Sequence, residues 1–171
     1  MPLTTSKIVT QSDALLERCT TVVKRLKEVH ADFADYGIDS FYEDDPYVLE
    51  ANNLPAICIY FDNFSNVPHG VGKAAHIPLD LVLAVKVIWS RLDDNFDMRK
   101  LTGSTFILYN WIIDNMQDLV DRISSGKRPV VGPCNFVKER KIVNGTVDYL
   151  DAGIFSITYN ISKRVTHIRN L

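Results

Sequence analysis

The feature that most constrains the fold of this chain is a pair of apolar segments separated by a polar loop. Residues 54–61 read Leu-Pro-Ala-Ile-Cys-Ile-Tyr-Phe and are apolar at odd and even positions, which predicts a strand covered on both faces and central in its sheet. Residues 77–89 alternate, and Asp80, Lys86 and Ser90 interrupt the less apolar face. Because this second strand would span about 40 Å, we expect it to bend or to carry a bulge.

The loop between the two strands, from Asp62 to His76, is rich in Asn, Gly, Pro and Ser. At about 15 residues it is much longer than the two to five residues of an ordinary hairpin connection. Loops of this length are usually functional, so we expect this one to meet partners.

An amphipathic helix pattern flanks the strands on each side. From residue 11 to 33, apolar residues recur at intervals of three and four with charged residues opposite, and Tyr36-Gly37 ends the pattern. Gly126 and Pro129 close the second pattern. The apolar stripe of this second helix consists of Phe106, Tyr109, Ile113, Met116, Val120 and Ile123, supported by Ile112 and Leu119.

The remaining segments are irregular or β-like. Residues 38–53 are acidic and show no period, which predicts a connecting segment with one short turn of helix. Strand patterns follow the second helix at residues 130–131, 135–143, 146–150 and 153–165, and Asn144-Gly145 favours a tight hairpin turn. The order α-β-β-α-β-β-β predicts a single α+β domain over residues 1–171, in which a mostly antiparallel sheet carries two helices packed on one face.

Composition and charge exclude several classes of function. With 171 residues, 46% of them hydrophobic and 23% charged, the chain is typical of one soluble globular domain. Its net charge of -2 gives no general attraction to nucleic acid or to anionic membranes. Basic residues cluster between Lys127 and Lys141, whereas acidic residues dominate residues 32–50. Charge segregated in this way suits a surface that docks on other proteins at least as well as one that docks on nucleic acid.

The cysteines favour a reducing compartment. Cys19, Cys58 and Cys134 are odd in number, widely spaced and set among apolar neighbours, so we expect reduced core residues rather than disulfides or a zinc site. No signal pattern opens the chain, and its longest apolar run is far too short to span a membrane. We therefore expect an intracellular protein without a membrane partner.

One pattern that can carry catalysis is Glu139-Arg140-Lys141, because nucleases use the Glu-x-Lys form to hold a metal and polarise water. Asp80 is a conceivable partner carboxylate. Such sites place the acid and the Glu-x-Lys on adjacent strands, however, and here the second helix separates them. A solvated charged strand is the favoured interpretation, and a metal-dependent nuclease is the alternative.

The histidines of the long loop are a second candidate. His69 and His76 lie there with Asp62, but zinc requires a third or fourth ligand that the loop lacks. Two exposed histidines are therefore expected, and no metal or cofactor. The chain has no glycine-rich phosphate loop, catalytic-serine elbow or Cys-x-x-Cys pair.

Three segments in this order resemble a known family. They are Leu-Pro-Ala-Ile-Cys-Ile-Tyr at residues 54–60 after a helix, the strand at 77–89 before a helix, and Asp-Ala-Gly-Ile-Phe-Ser-Ile-Thr-Tyr at 151–159. Together they span most of residues 10–165. The chain resembles the tail terminator proteins, also called tail completion or minor tail proteins, of long-tailed bacteriophages.

The resemblance implies a structural virion protein without enzymatic activity, assembled in the host cytoplasm. It implies a ring, six-fold in that family, at the head-proximal end of the tail tube, which ends tube polymerisation and docks the head. The implied partners are further copies of the chain, the tail tube protein, the neck or connector protein, and DNA passing through the lumen without sequence-specific binding. A head-tail connector or neck ring subunit is the nearest alternative. By position, the expected contact residues are Asp62, His69, His76, Lys127, Arg128, Lys138, Arg140 and Lys141.

Overall fold

The computed structural model describes residues 5–66, 76–91, 97–119 and 128–164. One seven-stranded sheet and four α-helices account for most of these residues. In chain order the elements are α1 (Thr5–Val29), α2 (Ala31–Ala34), β1 (Ser40–Tyr42), β2 (Val48–Leu49), a 3-10 turn (Ala51–Asn53), β3 (Ala56–Asn66), β4 (His76–Ser90), α3 (Met98–Asp114), α4 (Met116–Leu119), β5 (Val130–Val131), β6 (Asn135–Val143) and β7 (Thr146–Arg164).

The strands lie in the order β1-β3-β4-β7-β6-β2, and β5 pairs with β7. Neighbouring strands are antiparallel except for β1 beside β3 and β2 beside β6, which are parallel. The expectation of helices with a mostly antiparallel sheet is therefore confirmed in part. None of the helices in the described ranges combines the length and apolar character that a membrane crossing requires.

The sheet must curl, because its two edge strands are close neighbours in sequence. From β1 to β2 the sheet has five interstrand intervals, about 24 Å if it were flat. The chain from Tyr42 to Val48 reaches at most about 21 Å in six steps. The link formed by residues 43–47 therefore crosses one face of a curved sheet, which we call the link face.

The opposite face carries the helices. Alternate residues of β3, β4 and β7 point towards α1 and α3 and form the main core, as the alternation predicted. Trp111 of α3 donates its indole N–H to the carbonyl oxygen of Val22 in α1 at 2.8 Å, which joins the two helices. The core residues from the strands are Ile57, Ile59, Leu81, Leu83, Val85, Val87, Trp89, Phe155, Ile157 and Tyr159.

A second, smaller core lies on the link face. Ala56, Cys58 and Ile88 pack there with Ala152 and Leu150. This second core explains why residues 54–61 are apolar at both parities, because Ile57 and Ile59 face the helices while Ala56 and Cys58 face the link. The expectation of a strand covered on both faces is confirmed.

Several details differ from the sequence prediction. β3 is not central, because the short β1 is its only outer neighbour; β4 and β7 occupy the centre. The bulge lies in β3, between Phe61 and Asn63, whereas the β4–β7 pairing is unbroken. β3 also continues through Asp62 to Asn66, so the predicted loop is shorter at its start; residues 67–75 lie outside the described residues.

The predicted strands at 146–150 and 153–165 are one strand, β7. Asp-Ala-Gly at 151–153 resembles a turn, but Gly153 is needed because Thr105 of α3 lies directly against it and leaves no room for a Cβ. At the other end of β7, Asn144 and Gly145 have φ of 49° and 77°, which confirms the tight hairpin turn.

The helices and the acidic segment also differ from expectation. The first helix ends at Val29, and His30 starts the separate turn α2 before Gly37 ends the helical region with φ of 68°. The second begins earlier, at Met98 with Asp97 as its N-cap, and α3 ends at Asp114. Residues 38–53 contain the expected helical turn but also β1 and β2, which are too short to show a period.

Candidate functional site

Four charged side chains meet in a cluster on the link face. Lys86 of β4 has no exposed side-chain surface, and its Nζ lies 2.7 Å from Asp45 Oδ1 in the link. The same Nζ donates to both carboxylate oxygens of Glu139 in β6, at 2.9 and 2.8 Å. Lys141 Nζ reaches Asp45 Oδ1 at 2.6 Å. Two ammonium groups and two carboxylates thus neutralise one another.

Two members of the cluster, Lys86 and Asp45, have shifted pKa values. Burial alone would lower the pKa of Lys86, but hydrogen bonds to Asp45 and Glu139 outweigh it and raise that pKa. Burial would raise the pKa of Asp45, but the two lysine ammonium groups bring it below its usual value. Burial raises the pKa of Cys58 and of Tyr60 to about 12 each. Lys86 therefore stays charged although it is buried.

These bonds hold the link against the sheet, and both carboxylate oxygens of Glu139 accept hydrogen bonds from Lys86. Glu139 sits opposite Leu150 on β7, whereas Asp80 lies near the other end of β7 and accepts a hydrogen bond from Asn160. Ten residues of strand separate the two positions, about 33 Å. The structure does not bring Asp80 to Glu139, and the described residues contain no group of three His, Cys, Asp or Glu side chains placed to hold a metal.

The expected contact residues lie in different places. Lys138 and Arg140 are exposed on β6, on the helix-bearing face, and Arg128 is exposed just before β5. Lys141 is not available to a partner, because it is only 5% exposed and bonded to Asp45. Asp62 is exposed beside the bulge of β3.

Other expected contacts are described only in part. His76 is the first residue of β4 and pairs with Arg164. His69 and Lys127 lie outside the described residues. Of the loop predicted from Asp62 to His76, the structure therefore describes only residues 62–66 and His76.

Lys138 and Arg140 share their face of β6 with exposed aromatic residues. Phe136 is 46% exposed, and Tyr149, opposite Arg140 on β7, is 59% exposed. We call these residues, Phe136, Lys138, Arg140 and Tyr149, the basic side. The sequence pattern signalled the charges, but the aromatic residues were missed.

Helix α3 borders the basic side. Phe106 was predicted to belong to the core stripe of this helix, but it is 64% exposed; Ile113 is partly exposed as well. The predicted stripe is right in part, because Tyr109 contacts Phe155 of β7 with ring centres 5.1 Å apart. The buried positions of α3 also include the polar residues Ser104 and Thr105, which an apolar pattern does not select; they are Leu101, Ser104, Thr105, Leu108 and Ile112.

Beside β1, several exposed residues are acidic, and the exposed Lys24 of α1 also lies there, with its Nζ 5.7 Å from the centre of the Phe41 ring. Asp32 and Asp35 lie in and just after α2, and Asp39 pairs with Lys27 of α1 while staying largely exposed. No described cation forms an ion pair with Asp32 or Asp35. With the exposed Val29 these three residues form what we call the acidic side.

Two strand edges are also free within the described part of the chain. β3 pairs on its outer side with β1 only at Ala56–Cys58, so residues 59–66 have no strand there; we call this the β3 edge. On the side of β7 away from β4, strand pairing among the described residues ends with β5 at Thr158, and we call residues 160–164 the β7 edge. An unpaired edge presents backbone N–H and C=O groups that can pair with another chain.

Neither protein-family models nor curated sequences give a role that can be transferred to these residues. No protein-family model matches the chain, and no curated protein sequence matches it. The cluster, the two charged sides and the two free edges are therefore defined by the geometry of this chain alone.

Proposed function

We propose that this protein is a tail terminator subunit, a virion protein that forms a ring at the head-proximal end of a phage tail tube. The ring would end polymerisation of the tube and provide the surface on which the head docks. The order of segments 54–60, 77–89 and 151–159 supports the family, and the free edges support self-association.

The observation that carries the proposal is that the β3 edge and the β7 edge lie on opposite sides of one subunit. Both strands are antiparallel to β4, so they run in the same direction. A rotation about an axis along the strands brings the β3 edge of one copy beside the β7 edge of the next. Such a head-to-tail contact generates a ring when the rotation closes.

The remaining surfaces are then assigned to partners. Asp62 and His76 bracket the strand ends nearest the long loop, and we propose that this end of the subunit meets the tail tube or the neck protein. The net charge of -2 gives DNA in the lumen no general electrostatic attachment, which suits passage without sequence-specific binding. No catalytic step is part of the proposed function.

Tube growth tests the proposal. Purified tail tube protein is allowed to polymerise with and without this protein, and tube lengths are measured by electron microscopy. A terminator shortens the tubes in proportion to its concentration and is found at one tube end. Tubes of unchanged length without bound protein would contradict the proposal, whereas binding to connector rings alone would assign the chain to the neck.

A further inference from the structure

The acidic side and the basic side lie at the same level along the strands. One row of paired residues crosses five neighbouring strands from β6 to β1, through Val137, Ala152, Ile88, Ala56 and Ser40. Lys138 follows Val137, and Asp39 precedes Ser40. Because β6 and β1 run in opposite directions, both steps lead the same way along the strands, so Lys138 and Asp39 lie at the same height at the two ends of this row.

The two sides also share a face of the sheet. Lys138 is opposite Asp151, on the same face as the core residue Phe155, and Asp39 pairs with Lys27 of α1. Both sides therefore belong to the helix-bearing layer. A rotation about an axis parallel to the strands leaves each residue at the same height along the strands. It also leaves the helix-bearing layer of one copy beside the helix-bearing layer of the next.

We propose that the basic side of one copy binds the acidic side of the next copy. The inference rests on the proposed function, because it completes the head-to-tail contact that the strand edges begin. The partner surface is thus a second copy of this chain, with Lys138 and Arg140 against Asp35 and Asp39.

Charge and apolar character both match across this contact. Lys138 and Arg140 have no described acidic partner in their own subunit, since Asp151 bonds to Arg91. Phe136 and Tyr149 offer exposed aromatic surface beside these charges, and Val29 offers apolar surface on the acidic side. Aromatic residues and arginine are enriched where proteins bind one another, and opposite charges fix orientation.

Crosslinking tests which surfaces meet. In a Cys134→Ser background, one chain carries Asp39→Cys and a second, tagged chain carries Lys138→Cys; a short bismaleimide is added to the assembled mixture. We expect crosslinks only between the two different chains. When one chain carries both substitutions, we expect a series of crosslinked dimers, trimers and larger species on a denaturing gel. Self-pairs of Lys138→Cys would indicate a two-fold contact and overturn the inference. Glu17→Cys on the exposed outer face of α1 is the matched control and should not link to Lys138→Cys.

Charge reversal provides the second test. Lys138→Glu with Arg140→Glu, or Asp35→Lys with Asp39→Lys, should raise the concentration for half-assembly at least about tenfold, and all four changes in one chain should restore assembly. Unchanged thermal unfolding shows that each variant is folded, and Asp13→Lys with Glu17→Lys is the control.

The outcomes separate this inference from the proposed function. Rings that form normally with either reversal overturn the charged contact but leave the terminator proposal standing. Charge-dependent rings that never shorten tail tubes support the contact and contradict the terminator. A chain that stays monomeric with and without tubes contradicts both.

Discussion

Lys86 and Asp45 form an ion pair across the link face, with 2.7 Å between Nζ and Oδ1, although the lysine side chain is fully buried. Lys86 lies in the central strand β4, and Asp45 lies in the link that joins the two edge strands. This pair, together with Glu139 and Lys141, holds the link against the curved sheet.

Removing the buried ammonium group should destabilise the fold strongly. Lys86→Met leaves Glu139 without its main partner and Asp45 with Lys141 alone. Breaking a buried pair on one side typically costs about 3–5 kcal/mol. The free energy of unfolding is measured by urea denaturation. Lys138→Met on the exposed face is the control, with an expected change within about 0.5 kcal/mol. Equal effects of the two substitutions would contradict the structural role of the cluster.

The cluster also gives stability a predictable dependence on pH. The folded-state pKa of Asp45 lies below its unfolded value of about 3.9, so its bonds contribute fully above that value and are lost as pH falls through the folded-state pKa. Asp45→Asn removes this contribution. We expect the difference in unfolding free energy between wild type and Asp45→Asn to be level near neutral pH and to shrink below about pH 4. A difference that grows on acidification would show that Asp45 is not ionised in these bonds.

The sequence predicts the long elements of this fold well and the short ones poorly. The strands β3 and β4 and the helices α1 and α3 have enough residues for a period to show. β1 and β2 have three and two residues, so only their pairing with β3 and β6 identifies them. The continuous β7 was divided because Gly153 serves packing against Thr105 rather than a turn.

The candidate site was predictable only in its charges. Lys86 visibly interrupts an apolar strand, but its partners Asp45 and Glu139 are 41 and 53 residues away, and nothing in the local pattern connects them. Lys138 and Lys141 look alike in sequence, yet one is exposed and the other buried, because alternate residues of β6 face opposite sides.

Helix α3 lies so close to β7 at Gly153 that a methyl group at this position should destabilise the fold. Gly153→Ala places a Cβ against Thr105, and overpacking of this kind costs about 1–3 kcal/mol. Thr105→Ala removes the Oγ1 and Cγ2 atoms that approach closest and leaves only the Thr105 Cβ, so it should relieve most of the clash. The double variant is therefore expected to be more stable than the sum of the single effects predicts, as measured by a double-mutant cycle in urea. Strict additivity would mean that the two residues do not press on each other.

The cysteines should react in a fixed order. Burial raises the pKa of Cys19 and of Cys58 to about 12. Partial burial also raises the pKa of Cys134, but this thiol is less buried than the other two and a reagent can reach it. At pH 8 we expect a thiol reagent to label one cysteine in the native protein and all three after unfolding, as counted by mass spectrometry. Cys134→Ser should abolish the native labelling; fast labelling of Cys19 or Cys58 would contradict the described core.

The most direct test of the account is the mass of the assembled protein, measured by mass photometry alone and with purified tail tubes. A head-to-tail ring predicts one discrete species at a whole multiple of 19.4 kDa, six copies if the family resemblance holds, either free or at tube ends. A protein that remains at 19.4 kDa under both conditions, or that forms a continuous range of lengths without closing, would contradict the ring.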